Sequence, residues 1–186
     1  MVTLLALAIG FFGGVIFAVF KSDSDTPGHQ VSQGPVQPDR TDVIAALEKT
    51  VQADPENVEA WTGLGNAYFD DNQYNKAIRA YKKSLELKPD NANVWTDLGI
   101  MYRRSGNSQQ AVEAFGRAIE TDPKHEISRM NKGIVLLHDL KDTQGAIQAW
   151  EGLLEVNPVA MAPNGQSIDQ MVAQLKKSLS QQGSSN

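Results

Sequence analysis

Large apolar side chains recur at helical spacing in four stretches of the chain, each of which ends on a proline. The stretches are 43–55, 77–89, 111–123 and 146–158. In each stretch a large apolar residue stands at the fifth position, and an apolar or small residue follows three positions later. These intervals place both residues on one side of an α-helix, and the proline ends that helix. The pattern predicts four helices that share one register.

The stretches form part of an internal repeat, because their closing prolines are separated by 34, 34 and 35 residues. A period of this length is typical of a helical solenoid. A second motif, W-x-x-L-G-x-x-Y, precedes two of the copies at residues 61–68 and 95–102. Its apolar positions again define one helical face, and its glycine allows a neighbouring helix to come close. Each full repeat is therefore predicted to contain two helices.

The repeat resembles the tetratricopeptide repeat (TPR), which combines this motif with an alanine, an aromatic residue and a proline on the second helix. The matching residues are Ala77, Tyr81 and Pro89 in one copy and Ala111, Phe115 and Pro123 in the next. The resemblance implies an all-α fold in which antiparallel helix pairs stack into a right-handed superhelix. Complete units are expected at 58–91 and 92–125, and a third, degenerate unit at 126–160.

The third unit departs from the motif at three positions of its first helix. Gly133 stands where the glycine belongs, but Arg129 replaces the tryptophan, Lys132 the leucine and Leu136 the tyrosine. One additional residue also lies between the two helices of this unit, and we expect it in the turn at 138–142. The substitutions predict that this unit packs differently from the other two.

Single helices are predicted at both ends of the repeats. Residues 41–55 have no partner helix before them, because a proline-rich stretch precedes them, so they are interpreted as an N-terminal cap. Residues 161–179 combine a turn-rich loop with a helix that has one apolar side, which is interpreted as a C-terminal cap. Residues 180–186 are polar and are expected to fray.

The first twenty residues carry no charged side chain, and Thr3 is the only polar side chain between residues 2 and 20. A helix of this length spans roughly 28 Å, close to the thickness of the hydrocarbon core of a bilayer. The pattern predicts a transmembrane anchor at 1–20. A cleaved secretion signal is the alternative, although no basic residue precedes the apolar stretch. Lys21 alone says little about orientation.

Four small residues, Ala6, Gly10, Gly14 and Ala18, recur at every fourth position of the predicted anchor. Such a face allows two membrane helices to associate, although small residues are also common in membrane helices generally. Residues 21–40 contain three prolines and two glycines. They are predicted to form a disordered linker between the anchor and the repeats.

Composition excludes several classes of function. The formal net charge is −5, which gives no electrostatic reason to bind nucleic acid. The chain has no cysteine, and its histidines, His29, His125 and His138, lack partners at metal-ligand spacing, so they are interpreted as solvated. No nucleotide-binding loop or nucleophile motif is present. We therefore expect no enzyme activity, no cofactor and no metal site.

The family resemblance implies that the first helix of each unit lines a concave groove that holds a peptide or protein partner. The groove positions carried over from the family, together with Arg104, are Thr62, Asn66, Phe69, Thr96, Ile100, Arg103, Arg104, Met130, Ile134 and Leu137. Asn66 resembles the asparagine by which some repeats hold a peptide backbone. Arg103 and Arg104 are either ligands for a carboxylate or charges placed to suit a helix end.

The combination of anchor, linker and repeats predicts a membrane-anchored adaptor or scaffold that binds a protein partner. It is similar to bacterial membrane-tethered TPR proteins of c-type cytochrome biogenesis, so a factor that presents apocytochrome is one alternative. A self-associating structural scaffold is another. By the same resemblance, the expected location is the bacterial inner membrane as a single-pass protein with the repeats in the periplasm, although the side of the membrane is left open.

Overall fold

The computed structural model describes residues 39–183, which form eight α-helices. They are α1 (Arg40–Ala53), α2 (Val58–Asp70), α3 (Tyr74–Leu87), α4 (Ala92–Arg104), α5 (Ser108–Thr121), α6 (Glu126–His138), α7 (Thr143–Val156) and α8 (Ile168–Gly183). Within this range the only β-type pairing is an isolated antiparallel bridge between Met161 and Ser167. The described part of the chain is therefore all-α, as predicted.

The predicted anchor, its small-residue face and nearly all of the predicted linker lie outside the described residues. Among residues 39–183, no helix is both long enough and apolar enough to cross a bilayer. The anchor at 1–20 and the contact through Ala6, Gly10, Gly14 and Ala18 therefore stay predictions.

Short polar caps set the start of most helices. Asn57 and Asn91 accept hydrogen bonds from the backbone N–H groups three residues later, at 2.9 and 3.2 Å, as N-cap residues do. Asp142 caps α7 in the same way. At the other end, α1, α3, α5 and α7 each stop two residues before a proline of the repeat, because the residue before a proline is disfavoured in helical conformation.

The helices pair in the order expected of a solenoid. Tight turns join α2 to α3, α4 to α5 and α6 to α7, and each pair packs together, while each second helix also contacts the first helix of the next pair. Helix α1 packs on α2, and α8 packs on α7. Successive contacts of this kind build a layered stack in which each unit supports its neighbours.

Each pair is held together by an aromatic ring that lies against a glycine. A Cβ atom on Gly65 would lie 2.5 Å from the ring of Tyr81, and one on Gly99 would lie 2.6 Å from the ring of Phe115. In the third pair, a Cβ atom on Gly133 would lie 2.1 Å from the indole nitrogen of Trp150. The three rings are almost fully buried. The prediction that these glycines serve close helix packing is confirmed.

The third unit keeps the contact between glycine and aromatic ring, but its first helix has an arginine in place of the tryptophan. Trp61 and Trp95 each donate an indole N–H to the carbonyl of the proline six residues earlier, at 2.8 Å. Arg129 donates from its guanidinium to the carbonyl of Pro123, also at 2.8 Å. Its guanidinium lies over Gly152 of α7, where a Cβ atom would approach it to 2.6 Å. Arginine thus repeats the hydrogen bond of the tryptophan with different packing.

The extra residue of the third unit lies in the turn where the sequence predicted it. Four residues separate α6 from α7, whereas three separate the helices of the other two pairs. Each of the three turns contains one residue in the left-handed region: Asn72, Gly106 and Lys141 have φ values of 56°, 82° and 59°. The longer turn therefore keeps the same kind of reversal.

The last helix covers apolar surface of the third unit. Ile168 and Val172 of α8 are buried in one cluster with Trp150 and Leu153 of α7. Lys176 of α8 also forms an ion pair with Glu151, at 2.5 Å. Burial of these apolar side chains stabilises the end of the stack, which is what a terminal cap requires.

A candidate protein-binding face

The first helices of the three pairs, α2, α4 and α6, form the surface that we call the first-helix face. Helix α4 contacts α6 directly as well as its own partner helix. Because the repeats superpose without a gap along these helices, Asn66, Ile100 and Ile134 occupy equivalent positions, as do Asp97 and Asn131. The resemblance to TPR proteins assigns this face to the concave side.

Asn66 lies on this face with one of its two polar atoms already bound. The hydroxyl of Tyr81 donates to Asn66 Oδ1 at 2.8 Å. This contact orients the amide group and leaves its N–H₂ group exposed, with no acceptor among residues 39–181. An oriented amide donor of this kind is suited to a carbonyl or carboxylate of a peptide.

Asn66 belongs to a pocket of about 320 Å³ that we call the Asp97 pocket. Its lining residues are Asn66, Phe69, Asp70, Tyr81 and Asp97. It contains two carboxylates and no cationic side chain. Arg40 does not line the pocket, but it donates to the backbone carbonyl of Asp70 at 2.9 Å.

Asp97 is half-buried in this pocket, and no described residue donates a hydrogen bond to its carboxylate. Burial raises the pKa of Asp97 to about 6. Burial, followed by the charges of Asp97 and Asp70, also raises the pKa of the Tyr81 hydroxyl, which therefore stays protonated and able to donate. An ionised carboxylate in such a site is costly unless a partner binds it.

Both threonines that were predicted to line the groove form a hydrogen bond to a serine of a neighbouring helix. Thr62 is half-buried and shares a hydrogen bond of 2.6 Å with the hydroxyl of Ser84. Thr96 is only 3% exposed; it donates to the backbone carbonyl of Ala92 and contacts the hydroxyl of Ser128 at 2.6 Å. The prediction that Thr96 lines a binding surface is therefore wrong, because its hydroxyl lies in the contact between α4 and α6.

His125 extends this polar contact and is not simply a solvated histidine. Its Nδ1 accepts from the backbone N–H of Ser128 at 3.3 Å and contacts the Ser128 hydroxyl at 2.8 Å, so it caps α6. Its Nε2 lies 2.9 Å from Asn93 Oδ1 on α4. His125 therefore ties two first helices together, which corrects the interpretation from sequence. His138 is exposed at the end of α6.

Arg103 and Arg104 both lie in the last turn of α4, as the interpretation based on the helix end expects, and each also has a partner within the chain. Arg103 forms a forked hydrogen bond with Asp139, with Nε at 2.6 Å and Nη2 at 3.4 Å. Arg104 stacks on the rings of Phe69 and Tyr74, at 4.9 and 5.9 Å from their centres. The expected carboxylate ligand of Arg103 thus comes from the chain itself, and the two arginines connect α4 to the units on either side.

The apolar end of the face lies in the third unit. A cavity of about 380 Å³, which we call the Met130 groove, runs between α6 and the loop after α7. Its lining residues are Glu126, Ile127, Met130, Asn131, Ile134, Leu153, Asn157, Ala160, Met161 and Pro163. Ile127 and Met161 are 59% and 55% exposed, which is unusual for such large apolar side chains.

The remaining predicted groove residues contribute mainly to packing. Phe69 and Ile100 are half-buried against the core of the first two units, and Leu137 is half-buried against the core of the third. The structure therefore brings Asn66 and Phe69 together in one pocket and Met130 and Ile134 in another.

Sequence reasoning missed Asp97, Asp70 and the Tyr81 hydroxyl as parts of the surface. Asp97 was overlooked because its equivalents, Gly63 and Asn131, carry no charge, so no repeated pattern marks the position. A charged residue at a position that is small or neutral in the other units was the available signal.

A third cavity, of about 300 Å³, lies between α3 and α5 over the side chains of Trp95, Leu98 and Tyr102 on α4. Exposed charged residues of both second helices surround it. Among residues 39–183, no group of three or more histidine, aspartate or glutamate side chains is placed to hold a metal ion.

Three models of the tetratricopeptide repeat match residues 46–79, 65–106 and 96–162. No curated protein sequence matches the chain.

Solved structures of the same fold are numerous. Two structures of MamA are similar to this chain, with 30% and 26% identity and TM-scores of 0.62 and 0.64; the matches cover 64% and 75% of this chain and 70% and 80% of MamA. The TPR domain of Sgt2 from Aspergillus fumigatus is 25% identical, with a TM-score of 0.55, over 68% of this chain and 81% of that domain. The first TPR domain of Spaghetti (RPAP3), bound to the HSP90 peptide SRMEEVD, shares the fold at 20% identity, with a TM-score of 0.57, over 68% of this chain and 96% of that domain.

Proposed function

Because this chain belongs to the tetratricopeptide repeat family, we propose that it is a non-catalytic adaptor that binds a protein partner on its first-helix face. The helix pairs of this family form protein-interaction surfaces. The partner is a segment of another polypeptide that lies across α2, α4 and α6.

The observation that carries this proposal is the state of the polar groups on the face. The Asn66 amide is oriented by Tyr81 but keeps its N–H₂ group exposed, and the Asp97 carboxylate is half-buried without a donor. Groups that are positioned but unpaired are expected where a ligand completes their hydrogen bonds. The exposed apolar side chains of the Met130 groove supply the hydrophobic part of the same surface.

A crosslinking experiment tests the location of the partner. The photoreactive residue p-benzoylphenylalanine is placed at exposed positions on the first-helix face, in place of Asn66 or Ile127, and at the exposed Glu120 on α5 as the control. We expect crosslinked products in native membranes from the first two positions only. Products from the α5 position alone would reject the proposal.

We further propose that residues 1–20 anchor the protein in a membrane, with 21–40 as the linker that separates the repeats from the lipid. The uncharged apolar stretch of the sequence supports this proposal. In a bacterial host the repeats would then lie in the periplasm. Carbonate extraction and protease treatment of spheroplasts test both parts: release by carbonate rejects the anchor, and protection from the protease rejects the periplasmic location.

One alternative for the partner is an apocytochrome segment, as the resemblance to membrane-tethered proteins of cytochrome c biogenesis suggests. A host that lacks the gene would then lose covalently attached haem from its c-type cytochromes. Normal haem staining in that host would reject this alternative while leaving the adaptor function intact.

A self-associating scaffold is the second candidate, and the exposed apolar side chains of Ile127, Val159 and Met161 at one end of the repeats favour it. The substitution Met161→Glu should then reduce the mass of the particle measured by light scattering. The small-residue face of the predicted anchor gives a separate test, because Gly10→Leu combined with Gly14→Leu should dissociate an oligomer held through the membrane.

A further inference from the structure

The chemistry of the first-helix face narrows the class of partner that it fits. The face has two parts of different character, the Asp97 pocket on α2, α3 and α4 and the Met130 groove on α6. The first part presents two carboxylates and one free amide donor, and the second presents large aliphatic side chains.

The charge of the Asp97 pocket favours a cationic ligand. Asp70 and Asp97 both line it, and no cationic side chain does. Arg40 donates to the backbone carbonyl of Asp70, and Arg104 stacks on the rings of Phe69 and Tyr74. No ion pair within residues 39–183 involves Asp70 or Asp97. A lysine or arginine side chain in this pocket would therefore meet carboxylates whose charge is not already compensated.

The burial of Asp97 supports a cationic ligand as well, because an ionised carboxylate at this position lowers the stability of the folded protein. A half-buried carboxylate without a hydrogen-bond donor destabilises the folded protein at neutral pH, and burial raises its pKa to about 6. Nothing in the packing of α4 requires a charge there, since glycine and asparagine occupy the equivalent positions of the other units. A half-buried carboxylate that destabilises the fold when ionised, and that has no partner in the protein, is a candidate for ligand binding.

The Met130 groove adds the second element of recognition. Asn131 stands in the position equivalent to Asp97, and Ile127, Met130 and Ile134 surround it with aliphatic surface. The one carboxylate of this groove, that of Glu126, already accepts a hydrogen bond from Asn157 at 2.8 Å. Helix α4, which carries Asp97, contacts α6, which carries Met130, and the axes of packed helices are about 10 Å apart. An extended chain covers that distance in about three residues.

We propose that the first-helix face recognises a polypeptide segment in which a lysine or arginine is followed or preceded, three to four residues away, by a large aliphatic side chain. The cation occupies the Asp97 pocket, where the Asn66 amide binds a backbone carbonyl, and the aliphatic side chain occupies the Met130 groove. This inference rests on the proposed adaptor function and specifies the chemistry of its partner. An acidic segment such as SRMEEVD, bound by the Spaghetti domain, would be repelled.

Selection from a random library of nine-residue peptides displayed on phage tests the proposal. The bait is the full chain in non-ionic detergent micelles, and a second bait carries Asp97→Lys. We expect peptides selected on the native chain to be enriched in lysine or arginine at the stated distance from leucine, isoleucine or methionine. On the Asp97→Lys chain we expect aspartate or glutamate at the same place. Equal charge composition in both pools, or no enrichment over empty micelles, would overturn the proposal.

Titration of the most enriched peptide then measures the contribution of the carboxylate. Loss of a charged hydrogen bond weakens binding by about tenfold or more, and we expect this for Asp97→Asn. The matched control is Glu113→Gln, which removes a carboxylate from α5 and should leave affinity unchanged. If affinity falls equally in both variants, or in neither, the role of Asp97 is rejected. If crosslinks still form at Asn66 and Ile127, the adaptor function stands without this specificity.

A purely structural role for Asp97 and a role in ligand binding predict opposite changes in the stability of the Asp97→Asn variant. Under our proposal, Asp97→Asn weakens peptide binding but raises the melting temperature, because it removes a half-buried charge that has no partner in the protein. Loss of binding together with a lower melting temperature would assign Asp97 to the fold and not to the ligand.

Discussion

The first two units and the third unit solve the same packing problem with different residues. In the first two, a tryptophan on the first helix donates to a proline carbonyl, whereas Arg129 makes that contact in the third. In all three, a glycine admits the aromatic ring of the second helix, which is that of a tyrosine, a phenylalanine and a tryptophan in turn. These contacts maintain the backbone arrangement, and the residues of the motif are one of the sets of side chains that can make them.

The same comparison separates packing from binding. Positions that hold the helices together keep their contacts in all three units, while the exposed positions of the first-helix face change from polar and acidic to aliphatic. A repeat protein can therefore vary its surface from unit to unit without loss of the stack. The predictions below test whether the third unit depends on its substituted contacts, and whether the two parts of the face differ as proposed.

The largest expected effect comes from a methyl group added at the tightest helix contact. The substitution Gly133→Ala places a Cβ atom 2.1 Å from the indole nitrogen of Trp150, so the helices must separate, at a cost of about 2–3 kcal/mol. Urea denaturation followed by circular dichroism measures the change. The matched control is Gly116→Ala on α5, where the nearest atom is 3.9 Å away; better helix propensity should make that variant neutral or slightly more stable. Equal effects in both variants would refute the close-contact explanation.

Removal of the arginine that replaces the tryptophan should cost less. Arg129→Ala loses the hydrogen bond to Pro123 and the packing over Gly152, for which we expect a loss of about 1–2 kcal/mol. Arg129→Met keeps much of the packing and should recover part of the loss. The same denaturation measurement applies. An Arg129→Ala variant as stable as the native chain would mean that the third unit does not need this substitute contact.

Removal of the charge from the Asp97 pocket and addition of a charge to the Met130 groove should change the free energy of unfolding in opposite directions. Asp97→Asn should stabilise the protein by about 1 kcal/mol at pH 7.5, a value reduced to allow for partial solvent screening. The folded pKa of Asp97 is raised from 3.8 to about 6, so its ionisation begins to destabilise the fold as the pH rises above about 4, and the full destabilisation is present above about pH 6. The gain should therefore disappear between pH 6 and pH 4.

The reverse exchange, Asn131→Asp, puts a second carboxylate into the Met130 groove, which already contains Glu126, and should destabilise the protein at pH 7.5. Thermal melts of both variants across this pH range make the comparison. A gain for Asp97→Asn that persists at pH 4 would show that ionisation of Asp97 is not its source.

The smallest effect is expected at the ion pair between the second and third units. Arg103→Gln removes the forked hydrogen bond to Asp139. Because the side chains of Arg103 and Asp139 are 36% and 26% exposed, we expect the free energy of unfolding to fall by about 0.5 kcal/mol, and by less at high salt. Melting temperatures at low and high salt measure it. The exposed pair between Arg117 and Glu120 is the control, and Arg117→Gln should have no measurable effect. A salt-independent loss at Arg103 would point to packing in place of charge.

Much of the fold could be predicted from the sequence because it depends on local spacing. The prolines mark the helix ends, the W-x-x-L-G-x-x-Y motif defines the buried face, and the interval between Leu137 and Gly145 indicates the longer turn. The arginine in place of tryptophan was visible, but its hydrogen bond to Pro123 was not, since that contact depends on the path of the chain before α6.

The candidate site was less predictable, because its contacts join distant residues. Arg103 meets Asp139 and Thr96 meets Ser128 only through the packing of α4 on α6. Whether a side chain at a given repeat position faces the groove or the next helix depends on the local crossing of the helices, so family positions alone placed Thr96 wrongly. Asp97 was missed because its importance lies in its burial and missing partner, neither of which is a property of the residue type.

Chemical-shift mapping of the isoleucine methyl groups tests most directly whether partners bind on the first-helix face. The measurement uses the full chain in detergent micelles and the peptide selected above. We predict that the methyl signals of Ile127 and Ile134 on α6, and Ile100 on α4, shift on addition of peptide, while those of Ile78 on α3 and Ile119 on α5 stay in place. Shifts at Ile78 and Ile119 with unchanged signals from the first helices would contradict the account.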